Sequence, residues 1–131
     1  MAQTEKFEYS VLKTSSVVVV SLSGEVVYTA LEALERCRQE VLAFQDARFV
    51  VFDFGRVRNL TMDAVPAFTE FQKNLRAKGM ELRLCAITEG LKTKLVNLGI
   101  VRQAEITASL KEGLSYVSAQ ARAAMRDKKA A

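Results

Sequence analysis

Histidine and tryptophan are absent from this chain, and proline occurs once and cysteine twice in 131 residues. The missing histidine removes the commonest general base and the commonest metal ligand, which excludes histidine-based catalysis and histidine-metal centres. No GxxxxGKS/T, GxGxxG or GxSxG stretch is present, so the chain has neither a glycine-rich phosphate cradle nor a nucleophile elbow. Cys37 and Cys85 stand far apart and make no CxxC pair. Disulfide and zinc frameworks are therefore unsupported, and both residues read as buried thiols acting as small hydrophobes. No apolar run approaches the ~20 residues that cross a bilayer, and the polar start is not followed by the apolar stretch of a signal peptide. The expected location is the cytoplasm, with no direct membrane insertion. Glu25, Asp53 and Asp63 come from different segments, and nothing in their spacing pairs two of them in a cleft. No catalytic residue, metal site or cofactor is expected, and the chain does not read as an enzyme.

What is present is the composition of an ordinary globular protein, with half of the residues apolar and a quarter charged. The length fits one domain, residues 1–131, with a core over about 7–122 and a basic, mobile tail at 123–131. The net charge of +4 draws on Arg126, Lys128 and Lys129 of that tail, while the other charges alternate in sign. Such a distribution does not make a nucleic-acid footprint.

Phe7, Tyr9 and Val11 alternate with polar neighbours, and residues 17–20 form a β-branched run ending near residues 21–24. This pattern predicts two strands joined by a short turn. Ala30, Leu31, Leu34, Cys37, Val41 and Leu42 recur at helical spacing. The short, wholly apolar run at residues 49–52 predicts a central strand covered on both faces. A polar break at residues 56–59 precedes a second helical stripe of Val65, Phe68, Phe71 and Leu75, with Pro66 in its first turn and Gly79 as its stop. Leu82, Leu84 and Ile87 mark another strand, and Thr88 caps a helix carrying Leu91, Leu95 and Leu98 that Gly99 ends. Ile106 lies in a weak last strand, and Ser109 with Glu112 opens a long final helix bearing Leu110, Leu114, Val117, Ala121 and Ala124. The predicted order is ββαβαβαβα, an α/β domain with a mixed, mostly parallel sheet and helices packed against it.

The segment between the central strand and the second helix, Asp53-Phe54-Gly55-Arg56-Val57-Arg58-Asn59-Leu60-Thr61-Met62-Asp63-Ala64-Val65, is the part left without a purely structural reading. Its layout resembles the STAS family of anti-sigma-factor antagonists, in which an apolar strand ending in Asp leads through a loop to Asp-Ser-Ser-Gly at a helix start. Residues 17–25 resemble that family's second strand and its Ser-Gly-Glu turn, and residues 76–84 resemble its helix-Gly-strand transition. The resemblance covers nearly the whole chain and implies a single STAS-like domain. In that family a partner kinase phosphorylates a Ser or Thr of the Asp-Ser-Ser-Gly loop, which decides whether the antagonist binds its anti-sigma factor.

Laid on this pattern, Thr61 stands at the family's Asp, Met62 at the first Ser, Asp63 at the usually phosphorylated second Ser and Ala64 at the Gly. The phosphoacceptor is missing. A carboxylate carries one negative charge where phosphoserine carries about −1.5 to −2, so Asp63 is a partial, permanent mimic of the modified state. The plainer expectation for the same residue is a helix cap accepting from free backbone N–H groups. Thr61 offers an alternative acceptor hydroxyl. The expected docking surface comprises Asn59, Leu60, Thr61, Met62, Asp63 and Ala64, joined by Val27 and Tyr28, because both loops follow strands and reach the same sheet edge.

The resemblance implies a regulatory binding module whose partner is an anti-sigma factor or related Ser/Thr-kinase-like regulator, with a homo-oligomer left open and no nucleic acid involved. Two other readings stand beside it. One is a STAS scaffold subunit of a signalling assembly or of a membrane transporter's ATPase complex, where no phosphoswitch is required; the other is a domain that binds a small ligand.

Overall fold

The computed structural model describes residues 6–130, with side chains through residue 123. Strands β1 (Glu8–Thr14) and β2 (Val17–Val26) form the opening hairpin, closed by a two-residue turn in which Ser15 takes the left-handed conformation at φ 57°. Helix α1 (Leu31–Leu42), strand β3 (Phe49–Leu60), helix α2 (Val65–Ala77), strand β4 (Glu81–Cys85), helix α3 (Glu89–Asn97), the short strand β5 (Ile106–Thr107) and helix α4 (Leu110–Ala130) follow. The order ββαβαβαβα is the expected one. The strands lie side by side as β1-β2-β3-β4-β5, with β1 antiparallel to β2 and every other neighbouring pair parallel.

This order decides where the helices go. Each parallel connection steps one strand in the same direction, and right-handed crossovers of that kind place their helices on one face. Leu34, Cys37 and Val41 of α1, Phe68, Phe71 and Leu75 of α2, and Leu95 of α3 accordingly share one core with Val18, Val20, Val50, Phe52, Leu82 and Leu84. Phe52 holds this core together, meeting Phe68 and Phe71 edge to face at centroid distances of 5.6 and 5.3 Å. The final helix has no returning strand to serve and packs on the opposite face, where Phe49, Val51, Cys85 and Val117 form a second, smaller cluster. Phe49 through Phe52 are therefore buried on both faces, as a central parallel strand requires. Gly113 is what lets α4 approach so closely, because a Cβ there would run into Cys85 Sγ and lie 3.0 Å from Thr107 Oγ1.

Three local readings of the sequence are corrected. The Ser23-Gly24-Glu25 stretch is not a turn but part of β2, which runs to Val26. The polar break at residues 56–59 is likewise strand, since β3 continues to Leu60. Both differences have one cause: the β2–β3 register shifts twice, with Ser21 and Ser23 facing Asp53 and Arg56, and Gly24 and Glu25 facing Val57 and Asn59. Each shift inserts one extra residue into β3, so its buried side chains are spaced by three, Phe54, Val57 and Leu60, rather than by two. Gly24 sits at the second shift with φ 83°, a conformation that glycine adopts without steric cost. Third, Ile87 lies beyond β4, which ends at Cys85.

Other local features match expectation. Thr88 Oγ1 accepts from Leu91 N and caps α3, and Ser109 Oγ accepts from Glu112 N at 3.1 Å to start α4. Cys37 and Cys85 are both buried free thiols. Burial pushes the Cys37 thiol up to about 12 and raises that of Cys85. The backbone of α4 differs from expectation: it stays helical to Ala130, so Arg126, Lys128 and Lys129, expected on a mobile tail from residue 123, fall on its last turns, and Ala124, placed on the core stripe by its spacing, lies outside the described side chains. Among the described residues no helix is long and apolar enough to cross a membrane.

Candidate partner-docking site

The parallel strands β2 and β3 end together. Their last register pair is Val26 with Leu60, and the next residue, Thr61, donates its N–H to Val26 O at 3.0 Å. The two chains leave the sheet at this point, one into the 3-10 turn Tyr28–Ala30 and the other into residues 61–64. The second of these is a tight turn, closed by a 3.0 Å hydrogen bond from Ala64 N to Thr61 O, after which Phe68 N bonds Ala64 O and α2 begins. A further tie comes from α3, whose Lys94 Nζ donates to Leu60 O at 2.8 Å. Nothing in the helical spacing of α3 singled out Lys94, because its partner is a carbonyl with no sequence signature. The two loops expected to share an edge are thus brought together, and a ladder bond and a lysine fix their relative position.

The expected docking residues divide by exposure. Tyr28 is 71% exposed and Met62 57%, and Asn59 and Asp63 also face solvent. Leu60 and Ala64 have no exposure and belong to the core beneath the site, while Val27 is half-buried. Thr61 is half-buried too, but its Oγ1 is enclosed and lacks a hydrogen-bond partner, so a kinase reaches this hydroxyl only after the turn opens.

The helix-cap reading of Asp63 is corrected. The N-cap of α2 is Ala64, and no side chain makes a cap hydrogen bond there. The tight turn carries Asp63 one residue short of the cap position, which leaves its carboxylate facing solvent near the positive end of the helix dipole. The edge therefore presents two large apolar side chains, Tyr28 and Met62, beside one carboxylate. Among the described residues no three acidic or cysteine side chains converge as a metal-ligand set.

A five-stranded mixed sheet with three crossover helices on one face and a terminal helix on the other is the STAS architecture. The STAS domain family model matches residues 8–113, and the chain belongs to that family. Among solved structures, an anti-sigma factor antagonist from Mycobacterium paratuberculosis is similar at a TM-score of 0.75 and 20% identity, covering 90% of this chain and 99% of its own. The Bacillus cell fate determinant SpoIIAA in its phosphorylated form is similar at 0.67 and 17%, covering 86% and 99%. The STAS domain of a SulP transporter from Vibrio cholerae is similar at 0.73 and 16%, covering 86% and 88%. No curated protein matches this sequence.

Proposed function

We propose that this STAS domain is a non-catalytic regulatory module that docks an anti-sigma factor or related kinase-like regulator through the carboxyl edge of its sheet. The observation that carries the reading is the joint exposure of Tyr28, Met62 and Asp63 on two loops tied together by the Val26–Thr61 bond. Large apolar side chains exposed on two loops that leave one sheet edge offer area that a partner can cover. Methionine adds adaptability and tyrosine a broad, stiff contact surface. The similar Bacillus protein exists in a phosphorylated form. In this chain the position that the family resemblance assigns to the phosphoserine is Asp63, so the edge holds a fixed negative charge that no kinase sets and no phosphatase removes.

The second reading, a STAS subunit of a transporter or signalling scaffold, draws support from that same missing acceptor and from the likeness to the transporter domain of Vibrio cholerae. Affinity capture from native host lysate with wild type, Asp63→Arg and Asp63→Ser, followed by phosphosite mapping, separates the two. The switch reading expects a kinase-like partner that Asp63→Arg weakens and that phosphorylates the hydroxyl introduced by Asp63→Ser. Equal recovery of the same transporter or scaffold proteins by all three sinks the switch and leaves the scaffold.

A further inference from the structure

Gln72 is the one polar or charged residue counted in the buried core among the described residues, with no exposure, and neither its amide nitrogen nor its amide oxygen has a protein hydrogen-bond partner. Among the described residues the other enclosed side-chain atoms without a partner are Thr61 Oγ1, in the turn before α2, and the Nε atoms of Arg76 on α2 and Arg83 on β4, whose guanidiniums are otherwise bonded, Arg76 to Glu105 at 2.8 Å and Arg83 to Ala104 O. Native interiors pair such groups almost without exception, so a fully buried amide with both ends lacking a protein partner calls for a physical reason. We propose that α2 is a detachable element, released from the sheet by the unpaired amide of Gln72, and that this release lets the 61–64 turn adjust to a bound partner.

Two opposing effects act on one helix. Phe68, Phe71 and Leu75 hold α2 down, all fully buried and two of them packed edge to face on Phe52, and Arg76 and Asn74 tie it to Glu105 and Arg38 at 2.8 and 2.6 Å. Gln72, one turn after Phe68 on the same buried stripe, opposes them, because closing the helix takes the amide out of bulk water and gives it no protein partner in exchange. Strands β2 and β3 carry no such burden, since what they bury is valine, leucine and phenylalanine. Opening α2 alone returns the amide to water while the sheet keeps its ladder, so a sub-global opening of this helix lies below global unfolding. The same opening frees Thr61 Oγ1 and loosens the cap at Ala64, which lacks a side-chain hydrogen bond. A partner gripping the turn then selects among helix positions already populated. The link to the turn rests on the docking reading above; the opening of α2 does not.

Hydrogen exchange of the full chain without any partner tests the release directly, comparing wild type with Gln72→Leu and Gln72→Met. Leucine tests removal of the amide with a branched side chain, and methionine keeps the unbranched shape. In wild type, peptides from α2 are expected to exchange faster than peptides from β3, and each variant to slow α2 by about fivefold to a hundredfold while β3 changes far less. The proposal is overturned if wild-type α2 is as protected as β3, if neither variant slows α2, if both elements slow by the same factor, or if both variants fail to fold. A failed docking reading shows itself separately, as capture that is indifferent to Asp63 and Met62 while the exchange pattern holds.

Discussion

Replacing Gly113 by alanine runs a general rule against a specific contact. Alanine inside a helix is worth up to ~1 kcal/mol over glycine, so on propensity alone the change stabilises. At Gly113 the added methyl would collide with Cys85 Sγ, sit 3.0 Å from Thr107 Oγ1 and 3.7 Å from Val51 Cγ1. Cys85 has nowhere to retreat, because its side chain is fully buried in the cluster with Phe49, Val51 and Val117 and its Sγ hydrogen-bonds with Thr107 Oγ1 at 3.0 Å. The helix must move outward instead, and overpacking of this kind costs ~1–3 kcal/mol. The net expectation is a loss of ~0–2 kcal/mol, or up to about 8 °C in Tm for a domain of this size. Thermal and urea melts followed by circular dichroism read it, with Gly90→Ala as control, since a methyl at that position on α3 meets open space and should stabilise. In a double-mutant cycle, Gly113→Ala should cost less in a Cys85→Ala background, where the sulfur is gone. A Gly113→Ala protein as stabilised as Gly90→Ala would refute the seating of α4 on this face.

Four further outcomes follow from other contacts of the fold. The Cys37 thiol is neutral in the folded state well above the ~8.5 at which an unfolded cysteine ionises, and burial raises that of Cys85 in the same direction. Their contribution to stability is thus complete below that pH and is lost as pH climbs toward the folded value of about 12 for Cys37, so Cys37→Ala should flatten the alkaline decline in urea midpoint. A thiol reagent at mildly alkaline pH should label neither cysteine until denaturant is added. Arg83 stacks its guanidinium 3.6 Å from the Tyr116 ring centre and clasps α4 to β4; Arg83→Lys keeps the charge, loses the planar stack and should cost ~0.5–2 kcal/mol in chemical denaturation. Lys94→Met removes the donor to Leu60 O. It should cost ~1–2 kcal/mol and speed amide exchange in residues 61–64, whereas unchanged exchange would mean that Lys94 does not hold the turn.

Most of the architecture was legible because its signals are local. The apolar stripes of α1 and α2, the doubly buried run at residues 49–52, and the caps at Thr88 and Ser109 each follow from nearest neighbours along the chain. The bulged halves of β2 and β3 were not legible. A two-residue period becomes a three-residue one there only because of how two strands pair, and Arg56, Arg58 and Asn59 read as loop by composition. The site divided in the same way. That residues 27–30 and 61–64 share an edge follows from strand direction, but which side chains emerge depends on the turn, which buries Leu60 and Ala64 and exposes Met62 and Asp63. Lys94 and Gln72 were missed because each matters through what surrounds it in space, a carbonyl for one and the lack of any partner for the other.

The most direct test of the docking edge is a hydrogen-exchange footprint of the chain bound to the partner recovered by capture, compared with the free chain. The account predicts protection concentrated at residues 27–30 and 61–64, and its loss along with the complex in Tyr28→Arg and Met62→Glu, while Leu12→Glu on the far sheet face leaves both intact. Protection over β1 or α4 with these loops unchanged, or a complex that survives both edge substitutions, would contradict it.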